Sequence, residues 1–129
     1  MAPDGDGAPD RRGRFVVHHH VCGQGDHYDW MFDVDGSLIT FQCPLAPEAL
    51  TAGDTVGVRR LADHRRAYLT YEGAVSGDRG RVRIVDRGRY DAWIAPEGTW
   101  RIRIASAALD GRFRLTPVGD DRYQLGRDA

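Results

Sequence analysis

Four of the five histidines in the chain fall within FVVHHHVCGQGDHYDWMFDVDG (15–36), and Asp29 stands two residues after the last of them. Imidazole nitrogens joined by one carboxylate make a ligand set for Mn2+, Fe2+ or Zn2+, with coordination positions left for water and substrate. If residues 14–21 are extended, His18 and His20 share one face and His19 points to the other. His27 and Asp29 share a face by the same rule, and the connecting VCGQGD has glycines that permit a tight return. Two neighbouring strands then offer His18, His20, His27 and Asp29 to a common point, which we expect on the inward face. Spacing alone also accommodates a solvated run at a strand edge. An affinity-tag scar is a poor fit, because the run is short, internal and embedded in strand-like sequence.

The fifth histidine, His64, lies in LADHRRAYLTYEG with Tyr68 four residues on and Arg65 and Arg66 between them. Phosphate chemistry needs such groups: donors for the oxygens and a proton carrier for the leaving group. A strand with a charged surface explains the same residues.

These side chains need rigid elements to hold them, and the sequence supplies strands. In HYDWMFDV, Tyr28, Trp30, Phe32 and Val34 alternate with His27, Asp29, Met31 and Asp33, and Asp35-Gly36 then marks a hairpin into SLITFQC. RVRIVD, GTWRIRIAS, RFRLTPV and RYQL repeat the alternation. Ser76-Gly77-Asp78, Arg87-Gly88, Asp110-Gly111 and Gly119-Asp120 are the turn signals between them. The pattern predicts an all-β protein, a small antiparallel β-barrel with at most a short helical turn in PLAPEALTAGDT. With 129 residues there is room for one domain, which we expect over 14–129 behind a disordered lead-in at 1–13.

No apolar run approaches the roughly 20 residues of a membrane helix, and the polar N-terminus lacks a signal-peptide core. The expectation is a cytoplasmic protein with no membrane partner, in which Cys22 and Cys43 are free thiols. Net charge is −1, so no global basic field advertises nucleic acid, yet all 18 basic residues are arginine. A GC-rich coding bias accounts for that composition. Arginine also suits planar recognition of phosphate.

The segments FVV…H…HYDWMFDVDGSL, DHRRAYLTYEG, GRVRIVDRGRY and LDGRFRLTPV, in that order, resemble the 3′-phosphoesterase domain of bacterial DNA ligase D. The resemblance runs from about Arg14 to the C-terminus. DHRRAYLTYEGAVSGDRG is more similar still to short stand-alone relatives of that domain. The resemblance implies a small β-barrel and a Mn2+-dependent enzyme that removes a 3′-terminal ribonucleoside and then the 3′-phosphate from DNA ends. Its partners would be primer-template 3′ ends, and a repair ligase or polymerase that uses the resulting 3′-OH. Carried over by motif, His20, His27 and Asp29 would hold the metal, His64 would contact the scissile phosphate, and Tyr68 would lie beside it.

The chain departs from the ligase D pattern in four places. Met31 stands where the family has a phosphate-binding arginine, as it does in the stand-alone relatives. Leu45 replaces a lysine, and Ala62 replaces a glutamate. The connection between the first two ligand histidines is one residue longer, which leaves His18, His19 and His20 as candidates for the first ligand. His18, in place of a family glutamine, would line the pocket or add a ligand, and Arg66 or Arg79 would supply the missing cation. Two other functions fit the same residues: a weakened relative that binds metal and nucleic-acid ends, or a phosphoesterase for a small phosphorylated metabolite.

Overall fold

The computed structural model describes residues 7–23 and 25–129. Among the described residues ten strands follow one another: β1 (Arg11–Cys22), β2 (Gly25–Val34), β3 (Ser37–Cys43), β4 (Thr55–Arg60), β5 (His64–Arg65), β6 (Gly73–Ala74), β7 (Arg81–Ile94), β8 (Trp100–Ser106), β9 (Gly111–Gly119) and β10 (Arg122–Arg127). Eight of them run antiparallel in the order β1-β2-β3-β4-β10-β9-β8-β7, and β7 pairs back onto β1 to close a barrel. The two-residue strands β5 and β6 lie off this ring, on β3 and β7. Helical structure among the described residues is two 3-10 turns, Pro47–Ala49 and Arg66–Leu69. The first falls in the segment expected to turn; the second does not.

An eight-stranded barrel is just wide enough for side chains to fill it. Here Phe15, Trp30, Phe32, Phe41, Trp100 and Phe113 do so, each at most 3 % exposed. Phe32 sits at the centre, with ring centroids 5.0 Å from Phe15, 5.0 Å from Tyr90 and 5.5 Å from Trp100. Each side chain buried this way stabilises the fold by about 1.5–3 kcal/mol. The alternation read in HYDWMFDV holds: Trp30 and Phe32 enter this core, and Met31 joins a separate cluster. Asp35 and Gly36 both have positive φ (50° and 89°), the twist a two-residue hairpin turn requires.

The structure corrects two boundaries. β1 begins at Arg11, inside the expected lead-in, and Asp10 already holds β7 through its amide to the Ala92 carbonyl (2.9 Å) and its carboxylate on the Ile94 amide (2.7 Å). Residues 1–6 of that lead-in lie outside the described residues. Arg87-Gly88 is no turn: β7 passes straight through it. Gly88 is there because a Cβ would sit 2.0 Å from the Ala105 carbonyl oxygen of the neighbouring strand.

A second small structure is laid on the barrel's outside. Residues 61–75 leave β4, where the Leu61 amide donates to the Thr40 carbonyl (3.0 Å), and cross β3, β2 and β1 to reach β7. Leu69 closes down on Val16, Met31 and Leu38, with Tyr68 and Ile84 at the edge. Val85 is an extra residue on β7, where Val17 faces Asp86 and His18 faces Ile84. The Glu72 carboxylate takes the Ile84 amide beside this bulge at 2.8 Å, tying the flap to it.

Candidate metal centre

The face that carries His18 and His20 is the outer wall of the barrel, not its interior. Phe15 and Val17 fill the barrel, so Val16, His18 and His20 must point outward, and Trp30 and Phe32 force Asp29 and Met31 out in the same way. The flap then covers part of that wall and makes a cleft from it.

His20, His27 and Asp29 converge. Each offers a ligand atom, and the three atoms lie within 4.8 Å of one another. His27 Nε2 is 3.3 Å from Asp29 Oδ1, and His20 Nδ1 is 3.9 Å from Asp29 Oδ2. The other nitrogen of His20, Nε2, donates to the Arg79 carbonyl. That bond fixes the tautomer, so Nδ1 presents a lone pair to Asp29; a carbonyl partner on the far nitrogen is the usual support of a metal-bound histidine. Asp29 is buried, and its Oδ1 has no hydrogen-bond partner among the described residues. A buried carboxylate facing the His20 lone pair is costly without a cation, so the donor set fits a divalent ion. The histidine side chains are 18 % and 20 % exposed, which leaves the point open to solvent on their side.

The three adjacent histidines have three different roles. His19 points away, stacked on Tyr28 at 4.5 Å, with Nε2 2.6 Å from Asp26 Oδ2. His20 is the one in the cluster. His18 lies opposite Asp29 across the strand pair, buried, with Nε2 unpartnered among the described residues. Burial holds its imidazole below the usual histidine range, against the opposing pull of Asp29.

His18, His20 and Asp29 form one wall of a cleft of about 510 Å3, and His64, Arg65, Tyr68, Val75 and Arg79 belong to its remainder. His64 pairs with Leu38 on β3, and its Nδ1 donates to the Ala62 carbonyl at 3.0 Å, leaving Nε2 as the free ring nitrogen. Tyr68 sits between the two sides, 5.9 Å from the His64 ring and 6.1 Å from that of His18. The expected group of His18, His20, Asp29, His64 and Tyr68 is therefore brought together, with His27 adjoining from a neighbouring groove lined by Gln42, Arg59 and Arg122.

The two arginines expected to supply a cation differ from that expectation. Arg66 turns to the flap's far side and donates to the Asp33 carboxylate at 3.2 Å, where it pins the flap; Arg65, 5.9 Å over the Tyr68 ring, is the one that borders the cleft. Arg79 borders it too, but its guanidinium folds back onto Ser76 (2.7 Å to the carbonyl, 3.0 Å to the hydroxyl), and its contact with the site is the carbonyl that orients His20. Met31 is fully buried under Leu69, so position 31 has become part of the apolar seal.

Sequence reasoning missed Gly80. Its φ is +88°, and a Cβ there would sit 2.0 Å from the Val21 carbonyl oxygen, so only glycine lets the 76–80 turn press against β1 and deliver the Arg79 carbonyl. Its place at the end of SGDRG, before a strand, was the available signal.

A scan against protein-family models returns no match, and a search of curated proteins returns none.

Proposed function

We propose that the protein is a metal-dependent phosphoesterase that removes a 3′-terminal phosphate or ribonucleotide from DNA ends in repair. The observation that carries this reading is the convergence of His20, His27 and Asp29 at the wall of the open cleft that holds His64 and Tyr68. The resemblance to the ligase D 3′-phosphoesterase domain assigns the same residues the same work, with Mn2+ as the metal.

A divalent ion held by His20, His27 and Asp29 would supply Lewis-acid charge to a phosphoryl oxygen and a water of lowered pKa. The chain's own groups do the rest. His64, its Nδ1 committed to Ala62, presents Nε2 to a phosphate oxygen, and a charge-assisted bond there strengthens as negative charge develops. The Tyr68 hydroxyl is the second donor in reach, and Arg65 provides the cationic edge that Met31 no longer can. The flap narrows solvent access on one side, and the open histidine side admits a chain end. Free thiols at Cys22 and Cys43 suit a cytoplasmic setting, and no helix among the described residues is long and apolar enough to cross a membrane.

Met31 favours a second reading, a weakened relative that binds metal and DNA ends without turnover, because an apolar side chain sealed under Leu69 contributes no phosphate contact. Purified protein with Mn2+ and a primer-template bearing a 3′-phosphate separates the two. Phosphate release lost in both His20→Ala and His64→Ala supports the phosphoesterase. Metal and DNA binding without release leaves the weakened relative. Turnover of a generic phosphomonoester but not of the primer moves the substrate to a small metabolite.

A further inference from the structure

Three cross-strand pairs on the barrel's far wall set arginine against arginine: Arg14 faces Arg89 across β1 and β7, and Arg101 and Arg103 on β8 face Arg114 and Arg112 on β9. Like charges placed directly opposite one another destabilise a sheet. Sheet proteins ordinarily alternate signs across such rows, so the repetition calls for a reason. Local carboxylates offset only part of it. Asp91 is shared between Arg12 (3.4 Å) and Arg103 (3.5 Å), and Asp128 reaches Arg114 at 3.6 Å. Arg14, Arg89 and Arg101 have no ion pair among the described residues. Against 18 arginines and 19 acidic residues in the whole chain, three of these pairs fall on one face; a fourth, Arg59 opposite Arg122, joins β4 and β10.

The form of the face indicates what covers it. It spans four neighbouring strands, about 14 Å across at ordinary strand spacing, which is far wider than one phosphate needs. Its middle dips into a hollow of about 470 Å3 where four arginines, Arg12, Arg89, Arg103 and Arg112, outnumber two carboxylates, Asp91 and Asp110. Of the large exposed hydrophobics, Val21 and Val118 lie at the ends of β1 and β9, and Trp93, which faces Arg101 across β7 and β8, is nearly covered. The arginine rows themselves therefore carry little exposed apolar surface of the kind that anchors a protein interface or a membrane-inserting surface. Guanidinium forks with little exposed apolar surface between them match a phosphate backbone, which carries one charge per roughly 1.7 Å of duplex.

We propose that the outer arginine face of β1, β7, β8 and β9 is the docking surface for the phosphate backbone of a nucleic-acid duplex. The proposal rests on the 3′-end reading only in the use made of the docked duplex. β1 carries both regions on its outward side, Arg14 at one end and His20 at the other, six residues or about 20 Å apart. That distance corresponds to roughly six nucleotides of duplex rise. A duplex held at the arginines therefore has its end at the height of the cleft, and a shorter one does not reach both.

The test measures binding of a fluorescent, blunt duplex of about 16 base pairs without metal and without a 3′-phosphate, across about 50–200 mM salt. The variants are the triple Arg14→Gln/Arg89→Gln/Arg101→Gln and a charge-matched control, Arg59→Gln/Arg60→Gln/Arg122→Gln, which removes the arginine-on-arginine pair outside the face, beside the groove that His27 adjoins. The triple is expected to weaken binding about tenfold or more and to flatten the slope of log K on log salt by about 3. The control should change far less, and the thermal midpoint of the triple should hold or rise as like-charge pairs disappear. Equal losses in both triples overturn the proposal, as does failure of the wild type to bind duplex at low salt or preference for anionic vesicles over duplex. Since no turnover is read, a failure of the phosphoesterase reading leaves this outcome untouched. If turnover is present, the triple should lose rate on the duplex but keep it on a 3′-mononucleotide.

Discussion

Among the described residues, two apolar clusters of unequal size lie on opposite sides of the same strands. The barrel interior packs Phe15, Val17, Trp30, Phe32, Phe41, Trp100 and Phe113 inside a closed hydrogen-bonded ring. The outer cluster is Val16, Met31, Leu38 and Leu69, and it holds one 15-residue flap. The first cluster makes the scaffold, and the second makes the cleft. Stability and site assembly are thereby divided, and changes in one should be separable from changes in the other.

The largest effect is expected inside. Phe32→Ala removes the ring that touches Phe15, Phe41, Tyr90 and Trp100, and a cost of about 3–5 kcal/mol is expected. Thermal denaturation should show a lower midpoint together with loss of metal binding, because the ligand strands belong to the barrel. If the midpoint holds, the interior is not the scaffold.

In the outer cluster the effect should be local. Leu69→Ala should loosen the flap at about 2–3 kcal/mol of local stability. Hydrogen exchange should rise over residues 61–75 while the barrel amides keep their protection. Met31→Arg tests the same seal more harshly, since it buries an unpaired charge. It should free the flap rather than restore phosphate binding. A gain of activity in this variant would show that position 31 still faces the substrate.

Gly80→Ala should act on neither cluster. By displacing the 76–80 turn from the Val21 carbonyl, it should release the Arg79 carbonyl from His20 and, on the proposed metal site, lower the affinity for added Mn2+ about 10–100-fold. Titration calorimetry reads the affinity, and an unchanged circular dichroism spectrum should accompany the loss.

The smallest effect is alkaline. Burial pushes the Tyr90 phenol up to about 12 from an ordinary value near 10, while its hydroxyl donates to the Asp33 carbonyl. The folded state holds that proton more tightly than the unfolded chain. The stabilisation is thus complete below pH 10 and is lost as pH rises from about 10 through about 12. Tyr90→Phe should flatten the fall of denaturant stability across this window.

Much of this was legible in the residues. Alternation in HYDWMFDV separates Trp30 and Phe32 from His27 and Asp29 because side chains on a strand must go to opposite faces. The Asp35-Gly36 turn fixes the β2–β3 register for the same local reason. The lead-in expected at 1–13 is too long because Arg11–Gly13 lack an apolar pattern, although the backbone of β7 gives them a ladder to join. Arg87-Gly88 misled in the opposite direction: the glycine answers a close approach by Ala105, a contact invisible along the chain.

Sequence by itself determined which residues alternate, where hairpins turn, and that His20, His27 and Asp29 share one side of their strands. These follow from the period of the extended backbone. Only the tertiary structure decided that this side is the outside of the barrel, since period 2 distinguishes two faces without naming the buried one. The flap's path over Met31, the turning of Arg66 to Asp33, and the arginine-on-arginine rows were likewise settled by packing and strand register. Those depend on which distant strands become neighbours when the barrel closes.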